Sequence, residues 1–481
     1  MELTFLVFIP LLIGLVGVLV RKNIRMFDAL YCIGACAEII TAVGVFVQLH
    51  TAQELSFAPF FFLDALSGIV LLTVIIVSVF SSIYSIGYLR EEVKKGIIGF
   101  RRVKQYFLLY QLFVAAMFAG VLSASPILMW IAIETTTLST TLLISFYNKA
   151  SATEAAWKYL LINSIGLLLA FFGTLLFFAG ESSVDMLGFP GWHSLSEHVS
   201  EFNPDLLKIA FIFILVGYGT KVGFAPMHTW LPDAHSKAPP PISALLSGAL
   251  LNVALLAIFR FKIITDSVVE QSFSNTMLIG FGLVSVVIAA FIILAQKKYK
   301  RLFAYSSIEH MGIIALGCGF GGLGIWAALL HMIYHSIAKS LLFFISGSLF
   351  LKYGLSRISN IKGMITILPV STVLLFCGLL AITGVPPFGM FITEIHILVA
   401  GIAHYGFASV ILLVSLVLVF VGFLRHIVSM AFSEAPPTVL RGESNVYVLT
   451  PSILLSLILI ILSVYLPPGL SELLTKAAEL L

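Results

Sequence analysis

Charge is what this chain has least of. Asp, Glu, Lys and Arg make up 10% of its 481 residues, against 60% hydrophobic ones, and the mean hydropathy is +1.09. A soluble globular domain carries about a quarter charged residues, so that class is excluded and a polytopic membrane protein remains. Cysteine is scarce as well, with four residues. Cys32 and Cys36 are spaced C-x3-C, which fits neither a zinc nor an iron–sulfur signature, and Cys318 and Cys377 stand alone. All four read as small core residues. There is no Walker A sequence, so nothing indicates ATP hydrolysis. Gly317, Gly319 and Gly322 match G-x-G-x-x-G, but they follow no strand and lie between apolar runs, which rules out a nucleotide site. The opening stretch MELTFLVFIPLLIGLVGVLVRKNIR has no basic residues ahead of its apolar run and no small-residue cleavage site. It reads as a first span with its charges behind it.

Long apolar runs are what the chain has instead. A helical crossing needs about 20 largely apolar residues. Such runs occupy 3–20, 28–48, 62–88, 106–122, 126–147, 156–180, 207–229, 241–260, 276–295, 303–319, 323–350, 367–398, 404–430 and 447–466. This predicts an all-α, polytopic integral membrane protein of about fourteen helices in a single transmembrane domain, 1–481. The division between the tenth and eleventh spans rests on GCGFGGLG at 317–324. The tail after Pro468 has room for one or two amphipathic turns.

Basic residues set the orientation. The segments after odd-numbered spans hold Arg21, Lys22, Arg25, Arg90, Lys94, Lys95, Arg101, Arg102, Lys104, Lys149, Lys158, Lys237, Lys297, Lys298, Lys300, Arg301, Lys352, Arg357, Lys362, Arg425 and Arg441. Those after even-numbered spans, with the tail, hold only Lys208, Arg260, Lys262 and Lys476. The imbalance predicts that the odd loops are cytoplasmic and both termini outside, as an even span count requires. The longest outside loop, 181–206, carries Glu181, Asp185, Glu197, Glu201 and Asp205 and no basic residue.

The stretch Val216–Phe259, VGYGTKVGFAPMHTWLPDAHSKAPPPISALLSGALLNVALLAIF, organises the rest. A lysine at the depth of Lys221 costs roughly 2.5–3.5 kcal/mol even on the lenient insertion scale. Pro226 follows five residues later, removes a backbone donor and breaks the helix near Gly223–Pro226. The freed carbonyls then need protein or water partners. A buried lysine beside a broken helix, followed by His228, Asp233 and His235, reads as part of an ion path. The twelfth span breaks in the same way at TGVPPFG, 383–389. The two breaks lie five spans apart and so run in opposite directions, the mark of an inverted repeat with an ion site at midplane. The repeats are expected at about 106–260 and 276–430.

Other polar residues interrupt the apolar runs. Glu134, about eight residues into the fifth span, is either a structural carboxylate or a partner that tunes the Lys221 ammonium. His331, His335 and Lys339 follow one another at i, i+4 and i+8 in LLHMIYHSIAKSLLFF, one stripe on one helix face. HMIYH lacks the glutamate of the zinc-protease motif and has no third ligand nearby in sequence. The stripe therefore reads as a proton relay rather than a metal site. Glu309 and His310, expected one turn into the tenth span, fit either proton access from the cytoplasm or an interfacial pair. Glu394, seven residues beyond Pro387, is the acidic residue of the broken twelfth span and an ion-path candidate. Glu38 suits a helix-to-helix bond as well as it suits conduction. Asp64 is placed to start the third helix.

The motif KVGFAPMHTWLPDAHSKAPPPISALLSG resembles the signature of the antiporter-like proton-pumping subunits of respiratory complex I. That superfamily also includes cation/proton antiporter subunits and energy-converting membrane hydrogenase subunits. WIAIETTTLSTTLL, EAAWKYLL, AYSSIEHMGIIALG and HMIYHSIAKSLLFF extend the resemblance over most of the chain. It implies fourteen helices with two inverted five-helix repeats and broken helices 7 and 12. It implies a glutamate–lysine pair at Glu134 and Lys221, a relay histidine at His335 and an ionisable group at Glu394. The chain departs from many relatives at Asn252, where they carry lysine or histidine. With ALLNVALLAIF, SSIEHMG and HSIAKSLLFF it is most similar to the hydrogenase-4-type (component F-like) and formate-hydrogenlyase-type branch.

The expected function is that of a proton-translocating subunit of a larger redox-driven complex in a prokaryotic cytoplasmic membrane. The expected relay comprises Glu134, Lys221, His228, Asn252, His331, His335, Lys339 and Glu394. No cofactor or metal is expected in this chain, which holds no visible redox centre. The partners implied are other antiporter-like and small membrane subunits, with a peripheral nickel–iron hydrogenase or quinone-reducing arm. The rival readings are a sodium/proton antiporter subunit, a subunit energising inorganic-carbon uptake, and a non-pumping membrane scaffold.

Overall fold

The computed structural model describes residues 2–20, 24–180, 191–443 and 445–481. Arg21 and Lys22 of the first basic loop, and Glu181 and Asp185 of the acidic loop, lie outside the described residues. The chain opens with α1 (Glu2–Leu19) and α2 (Ile24–Thr51), followed by a short antiparallel hairpin of β1 (Leu55–Phe57) and β2 (Phe61–Leu63). Then come α3 (Ala65–Lys94), α4 (Phe100–Val121), α5 (Pro126–Ile144), α6 (Ala150–Ala179), the short α7 (Trp192–Glu197) and α8 (Pro204–Val222). After a break, α9 (Trp230–Lys237) leads to α10 (Pro240–Leu245), which passes through a π turn at Leu246–Leu250 into α11 (Leu251–Val268). The second half holds α12 (Gln271–Leu294), α13 (Tyr299–Phe320), α14 (Leu323–Tyr353), the one-turn α15 (Met364–Ile367), α16 (Pro369–Ile382), α17 (Gly389–Phe432), α18 (Val446–Val464) and α19 (Pro468–Glu479).

Local chemistry sets the helix ends. Asp64 caps α3 by accepting from the Ser67 amide at 2.9 Å, as the sequence predicts. Ser125 caps α5 ahead of Pro126, and Asn203 caps α8 ahead of Pro204. In both, a proline fills a first-turn position whose amide has no helical acceptor. Gly223 ends α8 in the left-handed region, at φ +86°.

Twelve helical stretches among the described residues are long and apolar enough to cross a membrane. Two further crossings follow from the geometry. Helix α17 has 44 residues, about 66 Å at 1.5 Å per residue and twice the hydrocarbon thickness. It leaves helical geometry at Tyr405 (φ −129°, ψ 43°), and there the chain doubles back. A Cβ on Gly401 would collide with Ser409 Oγ, eight residues on, a separation of about 12 Å in a straight helix. Helix α13, 22 residues long, is the other; its polar residues are buried inside the protein. The count agrees with the fourteen expected. The β-hairpin is an addition to the all-α expectation. Helix α19 runs 12 residues, about three turns, longer than the one or two turns expected.

Helix α14 is the centre. Its membrane-crossing window is entirely buried, as is that of α10–α11, and it touches α3, α10, α13, α16, α17, α18 and α19. A helix enclosed on all sides can be apolar all round, so a polar residue on it must find its partner inside the protein. The periphery faces lipid. Trp157, Leu161, Ile165 and Leu168 of α6 and Ile395, Val399 and Ile402 of α17 are exposed, an apolar belt that water would not tolerate. Cys32 and Cys36 lie on the exposed face of α2, so the core placement expected of them is corrected. Cys318 is buried, Cys377 partly so, and all four are free.

Candidate functional site

The break after α8 sets the first part of the site. Lys221 lies one residue before the end of α8 and is fully buried. Its ammonium donates to Thr137 Oγ1 and to the Tyr159 hydroxyl, both at 2.8 Å, and lies 4.9 Å from the Tyr159 ring centre. The Thr140 and Tyr159 hydroxyls share a 2.6 Å hydrogen bond. Glu134 accepts from Ser164 Oγ at 2.9 Å, and its Oε2 has no partner. Among the described residues it forms no ion pair with Lys221, whose hydrogen-bond partners are Thr137 and Tyr159. The lysine is thus held by hydroxyls and a ring face, which leave its charge uncompensated at contact distance.

The rest of the broken seventh span divides between structure and path. His228 is buried between α8 and α9, its Nδ1 without a partner and its ring 6.2 Å from that of Tyr305. His235 is fully buried, stacked on Phe343 at 4.8 Å, and neither ring nitrogen has a partner. Asp233, expected on the ion path, is instead engaged by Arg301 and by Lys158 at 3.7 Å in a half-exposed cluster. Two surface cations hold it away from the interior.

Asn252 follows the π turn and is fully buried. Its amide donates to Ser336 Oγ at 2.9 Å, to Gly248 O at 3.2 Å and to Thr73 Oγ1 at 3.4 Å, while its Oδ1 has no partner. This bonds Asn252 directly to α14, through the residue next to His335.

The stripe itself is present. His331, His335 and Lys339 are fully buried on α14. Lys339 donates to Ser306 Oγ and, at 2.8 Å, to Phe303 O. His335 has no hydrogen-bond partner at either nitrogen, and its ring lies 5.5 Å from that of His310. Glu309 and His310 are deeper than expected. Helix α13 begins at Tyr299, so they stand about 15 Å along it and are buried at midspan. They are neither at the membrane surface nor one turn from it.

Here the hydrogen bonds fix the tautomers. Thr393 Oγ1 donates to Met390 O at 2.8 Å, so it accepts from His331 Nδ1, also at 2.8 Å. His331 Nε2 is then bare and accepts from His310 Nδ1 at 2.9 Å. His310 Nε2 is left bare and unpartnered, 4.0 Å from the unpartnered Glu309 Oε2. Each neutral imidazole has one donor and one acceptor nitrogen, which forces this chain to run one way. Glu394, on the first turns of α17, reaches the same point. One ligand atom each from His310, His331 and Glu394 lies within 4.8 Å of the others. The break at 383–388 makes room for the carboxylate: Gly384 has φ +58°, and a Cβ there would collide with Glu394.

The sequence did not reveal Tyr159, Thr137 and Thr393 as partners, although the threonine-rich run of the fifth span was a signal. Nor did it reveal that Lys300 is buried, donating to Ala238 O at 2.9 Å, or that Glu92 is buried and accepts from the Tyr147 hydroxyl at 2.7 Å. Lys300 counts in the sequence among the charges of a cytoplasmic loop.

Known proteins resemble this chain in sequence and fold. The hydrogenase-4 component F homolog of Methylacidiphilum infernorum (isolate V4) is 35% identical over 467 residues, 96% of this chain and 97% of the relative. Hydrogenase-4 component B of Escherichia coli (strain K12) is 28% identical over 72% of this chain, which spans about half (53%) of that longer protein. Among solved structures, a chain of the membrane-bound sulfane sulfur reductase, an archaeal respiratory membrane complex, superposes with a TM-score of 0.86 at 23% identity. The match covers 99% of this chain and 97% of the other, and shows a common fold. Residues 123–421, which contain Glu134, Lys221, His331, His335, Lys339 and Glu394, match the model of one family. The chain therefore belongs to the NADH:quinone oxidoreductase/Mrp antiporter transmembrane family, as an antiporter-like membrane subunit.

Proposed function

We propose that the chain carries protons across a prokaryotic cytoplasmic membrane as one subunit of a redox-driven complex. In this reading both termini lie outside and a peripheral hydrogenase or quinone-reducing arm supplies the energy. The observation that supports it is the set of protonatable atoms buried without partners across the middle of the protein: Glu134 Oε2, both nitrogens of His335, Glu309 Oε2, His310 Nε2 and Glu394 Oε1. Each such atom costs roughly 1–3 kcal/mol where a partner is missing, a cost a mere anchor has no use for. Lys221, its neighbour Glu134, and Asn252 make up the first part of the relay. His335, His331, Lys339 and Glu394 make up the second, and the serine and threonine hydroxyls between them are its carriers. The two halves are read as inverted repeats of about 106–260 and 276–430, each with one broken helix. The test is proton uptake by vesicles containing the complex. Lys221→Met and His335→Ala should each abolish uptake at normal protein level. Uptake at the wild-type rate in both variants would refute the reading.

A further inference from the structure

The convergence of His310, His331 and Glu394 has a second chemical meaning. Two imidazoles and one carboxylate from three helices, α13, α14 and α17, present one ligand atom each within 4.8 Å of one another. We propose that these residues form a binding site for a divalent transition metal of the zinc type. The donor set is that of open catalytic zinc sites, His2Glu with a fourth position free. Imidazole selects zinc-like ions, whereas magnesium and calcium demand six or more oxygens, which this point does not offer.

The surroundings fit the same ion. Tetrahedral zinc with bonds of about 2.0–2.1 Å holds its donors about 3.3 Å apart, so the 2.9 Å contact between His310 Nδ1 and His331 Nε2 has to open only by a few tenths of an ångström. A metal-binding histidine gives its other ring nitrogen to an oxygen acceptor. His331 already gives Nδ1 to Thr393 Oγ1 at 2.8 Å. His310 has Glu309 Oε2, otherwise unpartnered, 4.0 Å from its Nε2. When the ion takes His310 Nδ1, the imidazole proton moves to Nε2 and faces that carboxylate, so no buried nitrogen is stranded. Glu394 Oε1 is buried and unpartnered, and Gly384, with no side chain, leaves room for its carboxylate against the break. The third ligand is distant in sequence, which is why the HMIYH spacing on α14 argues against a metal when read alone.

The site uses relay residues, but its existence does not depend on the relay, so the two are measured separately. The full chain in lipid nanodiscs is titrated with Zn2+ in competition with a chromophoric chelator, and the bound ion is examined by X-ray absorption. Wild type should hold one Zn2+ more per chain than His331→Asn or Glu394→Gln, with imidazole nitrogens in its coordination shell. Thr393→Val, which keeps all three ligands, should weaken binding about tenfold or more. Lys221→Met, elsewhere in the protein, should bind as wild type does. Equal Zn2+ binding by wild type, His331→Asn and Glu394→Gln, or a wild-type spectrum without imidazole, would overturn the site. If bound Zn2+ leaves vesicle proton uptake unchanged, the metal site stands and the relay through these histidines fails. If Zn2+ does not bind while Lys221→Met still abolishes uptake, the relay stands and the metal site fails.

Discussion

Lys221 donates to the Tyr159 hydroxyl at 2.8 Å, across 62 residues of sequence, with the ring of the same tyrosine 4.9 Å from its ammonium. A phenol and a threonine hydroxyl are the hydrogen-bond partners of Lys221, and Glu134 forms no ion pair with it among those of the described residues. The proposed relay makes Glu134 and Lys221 one functional unit. Glu134→Gln and Lys221→Met should each stop proton movement, and the double variant should be little worse than either single one. Singles that lower only the amount of protein, with normal transport by what remains, would make the pair structural.

Asn252 gives a sharper contrast because its partners are known. Its bond to Ser336 Oγ at 2.9 Å ties α11 to α14 beside His335. Asn252→Leu should slow proton uptake, since it removes the polar link between the two parts of the relay. Asn252→His should be tolerated. A bond that merely joins helices is worth about 0.6 kcal/mol in membrane proteins, and on that account leucine would be silent in transport and histidine no better. Wild-type uptake by Asn252→Leu would end its part in the relay.

Asp64 and Arg260 form a buried ion pair with two hydrogen bonds of 2.6 Å, and Arg260 also donates to Ser67 Oγ at 2.7 Å. Breaking one side strands a buried charge, at about 3–5 kcal/mol. Arg260→Met should lower the melting temperature of the detergent-solubilised protein clearly, and Asp64→Asn with Arg260→Met should recover part of the loss. A double variant less stable than Arg260→Met alone would contradict this account.

The membrane orientation can be checked on α3 and α4. Lys94 and Arg101 are exposed at the same end of the bundle, the end taken as cytoplasmic from the basic residues. In a cysteine-free background, cysteines placed at 94 and 101 should resist an impermeant maleimide added to intact cells and react after the cells are opened. Labelling of intact cells would invert the topology.

Apolar runs of membrane-crossing length, the two proline breaks and the distribution of basic residues were all legible in the sequence. Each depends on local composition: a lipid-spanning helix must be apolar for about 20 residues whatever it packs against, and proline breaks a helix through its own ring. The α14 stripe was legible for the same reason, since i, i+4 and i+8 share a face in any helix. What lies opposite that stripe was decided by packing. The sequence places Glu309 and His310 near the surface, whereas the start of α13 at Tyr299 carries them to midspan and against His331. Lys300 looks like a loop charge until neighbouring helices cover it, and Asp233 looks like a path residue until Arg301 engages it. Glu394 and His331 are 63 positions apart and meet because the chain breaks at 383–388 and turns the next helix toward α14. A local pattern can show that a polar group is inside the membrane; only the tertiary contacts among α13, α14 and α17 determine its partner, because side chains that meet across helices are brought together by packing and not by spacing along the chain.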